Sequence, residues 1–196
     1  MGKVIDNKKN KLSSIFDAAY ELFTSKSFNN TSIDDVVKKA GIAKGTFYLY
    51  FKDKYDLMDR LVARKSAVMF KEILDRLNTE KAQRKMTFDE QIIFIADKVI
   101  DYMEKNREIV LLIEKKFSSC FKALKRAEYS ELKESFESLV NENLVNGVSF
   151  DETVRQIYII VDLVGSVCCD AILYSSPFKI DEIKPTLFMS IKKIIR

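Results

Sequence analysis

Apolar side chains recur along this chain at helical spacing almost from end to end. Over residues 8–25, Leu12, Ile15, Phe16, Ala19 and Phe23 form an i, i+3, i+4, i+7, i+11 stripe behind a lysine-rich start, which predicts an amphipathic helix. The stretch "SFNNTS" interrupts it. Ser32 stands three residues before Asp35, as in a capping box, and Ile33, Val36, Val37 and Ala40 then give a short second helix its buried face. Gly41 falls where a left-handed residue ends helices. A third helix is predicted over residues 44–51, and Asp53 caps a fourth that runs from 54 to about 77.

Beyond Lys81 the periodic segments lengthen. Residues 87–104 carry Phe88, Ile92, Ile95, Val99 and Tyr102 along one side, and Asn106 caps a helix bearing Ile109, Val110, Leu112, Ile113, Phe117 and Phe121. Further helices are predicted over 130–145, ended by Asn146-Gly147, over 151–174, broken by Ser175-Ser176-Pro177, and over 181–195, with Ile183, Leu187, Ile191, Ile194 and Ile195 on one face. Pro185 is tolerable there because the first turn of a helix has no N–H partner to lose. The pattern predicts about nine helices, no strand and no repeat.

Composition narrows the class. Five glycines and two prolines in 196 residues are too few for the turns of a β-rich fold, and 47% hydrophobic residues suffice for a substantial core, so the chain reads as all-α. With no histidine, every histidine-dependent triad and most zinc sites are excluded. Three cysteines, two of them adjacent (Cys168, Cys169), make a poor disulfide framework and read as small core residues of a cytoplasmic protein. No apolar segment follows the opening "MGKVIDNKKNK", which predicts no export signal. Asp162 and Asp170 interrupt the most apolar stretch, 157–174, so no membrane span is expected. Residues 1–56 hold ten lysines against seven acidic residues, a net +3 of the chain's +4.

The stretch "GIAKGTFYLYFKDK" (41–54) then gains a meaning. Two short helices joined through Gly-Ile-Ala have the spacing of a helix-turn-helix. On the second of them, Phe47 and Phe51 take the buried side. Gly45, Leu49 and Thr46 lie across the opposite side, flanked by Tyr48 and Tyr50. Gly45 lets the backbone come close to a groove, Thr46 and the tyrosine hydroxyls suit phosphates or bases, and Lys44 and Lys54 straddle the groove. The N–H groups behind Thr31 and Ser32, at the start of the preceding helix, suit a phosphate. The opposing reading, that the aromatics only pack a three-helix bundle, fits Phe47 and Phe51 better than Tyr48 and Tyr50.

"TSIDDVVKKAGIAKGTFYLYFKDKYDL" (31–57) resembles the signature of the TetR (tetracycline-repressor) family of bacterial transcriptional regulators. The likeness lies in the paired Thr-Ser, the Ala-Gly-Ile turn, Lys-Gly-Thr-Phe-Tyr, the Tyr-X-Phe ending and the Lys-X-Lys-X-X-Leu that follows. Ala43 departs from it, since many members carry a serine cap there. The resemblance implies an N-terminal three-helix DNA-binding region over 1–69, with its helix-turn-helix at 32–51. A connecting helix would join it to a C-terminal ligand-binding and dimerisation domain over 70–196. It implies a homodimer through 151–174 and 181–195, a pseudo-palindromic double-stranded operator, and a small-molecule effector that releases a repressor from DNA. No cofactor, metal or catalytic residue is implied. A helical interaction protein that kept the fold without operator binding is the alternative, and an enzyme using Asp162 with Asp170 or Glu114 lacks any accompanying nucleophile motif.

Arg155, Asp162, Ser166 and Cys169 form a narrow polar stripe on the apolar 151–174 helix. Carboxylates are rarely buried without a partner. Either Asp162 lines an effector cavity with Glu114, Tyr102, Tyr158 and Ser166 beside the rings of Phe117 and Phe121, or it pairs with a cation across the dimer.

Overall fold

A computed structural model of the chain describes residues 2–113, 121–124, 126–144 and 148–195. Among them are ten α-helical segments and one 3-10 turn, with no strand: α1 (Gly2–Lys26), α2 (Ile33–Ala40), α3 (Lys44–Tyr48), α4 (Lys54–Gln83), α5 (Phe88–Lys105), α6 (Arg107–Ile113), α7 (Phe121–Leu124), the turn Ala127–Tyr129, α8 (Ser130–Glu142), α9 (Phe150–Tyr174) and α10 (Ile180–Ile194). Among the described residues the predicted helices are present with moved ends. The first starts six residues earlier, the fourth continues to Gln83, and the third stops at Tyr48, with Leu49 and Tyr50 in a turn. Glu114 and Phe117 lie outside the described residues.

The chain divides into two compact units, residues 1–64 and 65–196, and the division falls inside α4. The first unit is built on Ile15, Phe16, Ala19 and Phe23 of α1, Val36 and Val37 of α2, Phe47, Phe51, and Leu57 and Leu61 of α4, all buried. The ring of Phe51 meets Phe16 edge-on at 5.5 Å, and Phe47 lies 5.5 Å from Phe51. These contacts supply the directional part of a small apolar core.

Local chemistry sets the helix ends. Ser32 Oγ accepts the Asp35 N–H (3.1 Å) while Asp35 Oδ2 accepts the Ser32 N–H (2.9 Å), the reciprocal capping box expected from the sequence. The Ser32 hydroxyl, donating to Asp35 Oδ2 at 2.7 Å, and the Ser32 N–H hold the Asp35 carboxyl below the usual carboxylate range. Gly41 ends α2 at φ +66, the left-handed region that glycine enters without steric cost, and the Ile42 N–H reaches back to Val37 O at 3.0 Å.

In the second unit α5, α9 and α10 pack on one another, with α6 and α8 against α9. Its core runs through Ile92, Ala96, Ile100 and Met103 of α5, Ile157, Ile160, Val164 and Cys168 of α9, and Leu187 and Ile191 of α10. On α5 the predicted stripe was Phe88, Ile92, Ile95, Val99 and Tyr102, whereas the deepest residues are Ile92, Ala96, Ile100 and Met103. A helix covered by two neighbours buries a wide arc, so its most apolar stripe need not be its centre. By length and composition α9 is one helix able to cross a membrane, but nine of its residues are buried within this unit, as in a core helix.

Two polar arrangements tie the unit together. Gln91, 3% exposed, donates from Nε2 to Met86 O (3.2 Å) and to Asn143 Oδ1 (3.1 Å). Asn143 Nδ2 returns a bond to Gln91 Oε1 (3.3 Å) and bonds Leu139 O (2.7 Å). Between α5 and α10, the Lys184 ammonium lies 2.5 Å from Asp97 Oδ1, and Lys98 bonds both Asp97 (3.1 Å) and Asp101 (2.9 Å). Burial alone would push the Asp97 carboxyl up, but hydrogen bonds from Lys184 and Lys98 outweigh it and hold the carboxyl low.

Candidate nucleic-acid interface

The α2–α3 pair divides its residues sharply between core and solvent. Phe47 is fully buried, while Tyr48 is 52% and Leu49 83% exposed. Gly45 is exposed, and a Cβ added to it would meet nothing within 4 Å. Packing within the unit therefore gives no reason for glycine here. Thr46 and Tyr50 are half-buried, with the Tyr50 ring 6.5 Å from that of Phe51. The first turn of α3 has no side-chain cap at Ala43, so its amide groups carry no competing oxygen from that position.

Lys44 is also at this edge, with its ammonium 2.8 Å from Asp34 Oδ1. That hydrogen bond raises the Lys44 pKa above the ordinary lysine value. Both partners are more than half exposed, so the pair is screened by solvent.

Three of the expected DNA contacts are placed differently. Thr31 is 1% exposed, and its hydroxyl donates to Ser27 O (2.8 Å) and Leu22 O (3.3 Å), tying the end of α1 to the turn before α2. A buried hydroxyl takes the carbonyls within reach, so Thr31 is structural. The amino end of α2 is likewise occupied, since Asp35 fills the Ser32 N–H and Asp34 adds a second carboxylate to the first turn. Two negative charges there disfavour a phosphate. Lys54 is the third. Its ammonium donates to Phe28 O and Thr31 O, both at 2.8 Å, and lies 4.4 Å from the centre of the Phe28 ring. Two carbonyls and an aromatic face satisfy the cation better than an exposed position, so Lys54 closes the 28–31 turn instead of flanking a groove. The aromatic Phe28 inside an otherwise polar turn was the sequence signal for such a partner.

In the second unit the expected effector residues separate. Phe121 meets Tyr158 at 5.4 Å and Phe136 at 6.0 Å, so one aromatic group forms. Tyr102 is half-buried on α5, its hydroxyl pKa raised by burial and by Glu72 and Glu108. Asp162 and Ser166 line no interior, because α9 turns Ile157, Ile160 and Val164 inward and leaves Arg155, Tyr158, Ile159, Asp162 and Ser166 as one exposed stripe. Cys169 leaves the predicted polar stripe, being 2% exposed. Arg155 pairs with Glu152 on its own helix.

The matched relatives come from bacterial gene regulation. Residues 15–61 match the model described as bacterial regulatory proteins, tetR family. The fatty acid metabolism regulator protein of Bacillus subtilis (strain 168) is 23% identical over 145 residues, 74% of this chain and 72% of that protein. The HTH-type transcriptional regulator YvdT of the same organism is 31% identical over 102 residues, 52% of this chain and half of YvdT. Among solved structures, the transcriptional regulator FadR from Bacillus subtilis in complex with stearoyl-CoA superposes with a TM-score of 0.55 at 16% identity, over 94% of this chain and 99% of that one.

Proposed function

We propose that this chain, whose residues 15–61 match the tetR-family model, is a TetR-type dimeric transcriptional repressor that a small molecule releases from its operator. One observation carries the DNA-binding part: α3 and the turn that ends it bury Phe47 while offering an open glycine, an exposed tyrosine and an exposed leucine side by side. That surface has no use inside the unit and fits the major groove, where a helix is read by hydrogen bonds and methyl contacts. Lys44, Gly45, Thr46, Tyr48, Leu49 and Tyr50 are the contact residues in this reading, within a DNA-binding region of residues 1–69 followed by an effector and dimer domain. Such a regulator works in the cytoplasm, where its operator is.

The dimer reading rests on two exposed stripes. On α9 these are Tyr158, Ile159, Asp162 and Ser166, and on α10 Thr186, Met189 and Lys193. Ile159 and Met189 are each more than half exposed, an unusual extent of apolar surface for a lone subunit. Asp162 on this stripe favours its role as an inter-subunit partner.

For the effector we propose a long-chain acyl thioester. The support is the relative named for fatty acid metabolism and the FadR structure holding stearoyl-CoA. The Phe121, Phe136 and Tyr158 rings are the first candidates for an acyl chain. The test is operator capture from fragmented genomic DNA, then titration of the complex with stearoyl-CoA, with coenzyme A and stearate as controls. Absence of any sequence-selective duplex binding would sink the DNA-binding reading. Binding that persists in saturating stearoyl-CoA would sink the acyl thioester alone.

A further inference from the structure

Two charges on the outer faces of α9 and α10 have no counterpart within the subunit. On α9, Tyr158, Ile159, Asp162 and Ser166 share one exposed stripe, and on α10 Thr186, Met189 and Lys193 share another. The neighbouring charges on these helices are engaged. Arg155 pairs with Glu152, Glu182 accepts the Lys179 N–H, and Lys192 lies 3.8 Å from Asp89. Asp162 and Lys193 make no hydrogen bond or ion pair among the described residues. A carboxylate beside Tyr158 and Ile159 is costly to cover unless the covering surface brings a cation.

The two charges lie at one level of the second unit. α9 and α10 pack on each other and are joined by residues 175–179, so they run antiparallel as a hairpin. Asp162 stands twelve residues before the end of α9, and Lys193 thirteen after the start of α10. At about 1.5 Å per residue, both are roughly 18–20 Å from the connection. A two-fold contact through this face has two simple arrangements. An axis across the hairpin at this level lays α9 on its own copy and sets the two Asp162 carboxylates against each other, which like charges disfavour. An axis along the hairpin lays each α9 on the α10 of the second copy and preserves levels. Asp162 then faces a lysine, and the symmetry satisfies the pair twice.

We propose that Asp162 of each subunit pairs with Lys193 of the partner subunit, and that this pair selects the second copy of this chain and sets α9 against α10. The proposal rests on the dimer put forward above and names the contact that gives it specificity. Tyr158, Ile159 and Met189 supply the apolar area, while the paired charges fix orientation and reject a subunit that lacks the opposite charge at these positions.

The test uses two variants of the full chain, Asp162→Lys and Lys193→Asp. In each homodimer the substitution sets like charges opposite one another twice, whereas a one-to-one mixture restores both opposite pairs in the heterodimer. Sedimentation equilibrium should find the dimer dissociation constant raised at least ~100-fold for either variant alone. The mixture should return to within about tenfold of the parent, and a tag on one variant should retain the other. The double variant, which exchanges the two charges within one chain, should dimerise as the parent does. Both positions are exposed, so circular dichroism of every variant should match the parent. Single variants that dimerise like the parent overturn the pair, and so does a mixture no tighter than its components. A parent that is monomeric at micromolar concentration defeats the dimer reading itself.

Discussion

Gly45→Ala separates a residue needed for the fold from one needed for approach. Gly45 is the second residue of α3, and its φ lies outside the left-handed range, so alanine adopts the same backbone without strain. The new methyl meets no atom within 4 Å, so it costs nothing in packing. Alanine gains up to about 1 kcal/mol of helix propensity over glycine, less in a first turn. For a chain of this length, a gain of that size moves the melting temperature up by about 2–4 °C. On DNA the same methyl stands on the face shared with Tyr48 and Leu49 and holds the helix off the groove wall. A good base contact is worth ~1–3 kcal/mol, so forfeiting the equivalent of one lowers operator affinity about tenfold or more. Calorimetric melts and fluorescence-anisotropy titrations on one protein preparation read both effects. A melting temperature that falls by more than about 2 °C, or an unchanged operator affinity in a fully folded variant, would refute the reasoning.

Other substitutions probe the remaining assignments. Lys54→Met keeps the side-chain stem but strips two carbonyls of a charged donor, so stability should drop by about 1.5–3 kcal/mol with the salt slope of DNA binding unchanged; a slope reduced by about 1 per subunit would return Lys54 to the phosphates. Asn143→Ala leaves the buried Gln91 amide short of partners and should cost about 1–3 kcal/mol in urea denaturation, whereas a loss below about 0.5 would mean that the amide pair is not worth its desolvation. The depressed Asp97 carboxyl contributes stability that is complete above its unfolded value near pH 4 and is lost as pH falls through its lower folded value, so melts between pH 5 and 2 should show an acid-linked loss that Lys184→Met reduces. Ile159→Glu places a charge on the exposed stripe of α9, and sedimentation should find a monomer at micromolar concentration where the parent is a dimer; a parent sedimenting at 22.7 kDa would remove the dimer itself.

What the sequence disclosed depended on whether the cause was local. Ser32 with Asp35, the left-handed Gly41 and the burial of Phe47 and Phe51 were all legible, because caps, turns and short stripes are decided within a few residues. The same motif misled where a side chain answers to a distant partner. Thr31 bonds a carbonyl nine residues back on α1, and Lys54 bonds carbonyls 23 and 26 residues away, and neither separation leaves a periodic trace. The Gln91–Asn143 pair, 52 residues apart, went unseen for the same reason.

The second unit shows a different limit. Because the 151–174 helix is apolar on most sides, Asp162 was weighed either as lining an effector cavity or as paired with a cation across the dimer. In the structure Ile157, Ile160 and Val164 take the interior, while Ile159 stands 53% exposed beside Tyr158 and Asp162. Hydrophobic pattern records which residues avoid water in the working assembly, and it does not say which molecule covers them. An apolar helix with a polar stripe therefore reads the same whether the stripe faces a cavity or a second subunit. Charge behaves in the opposite way. The net +3 in residues 2–14 and the zero balance over 15–61 follow from counting alone, but the counts gain force only once the ion pairs show that most cations of the reading head are already engaged.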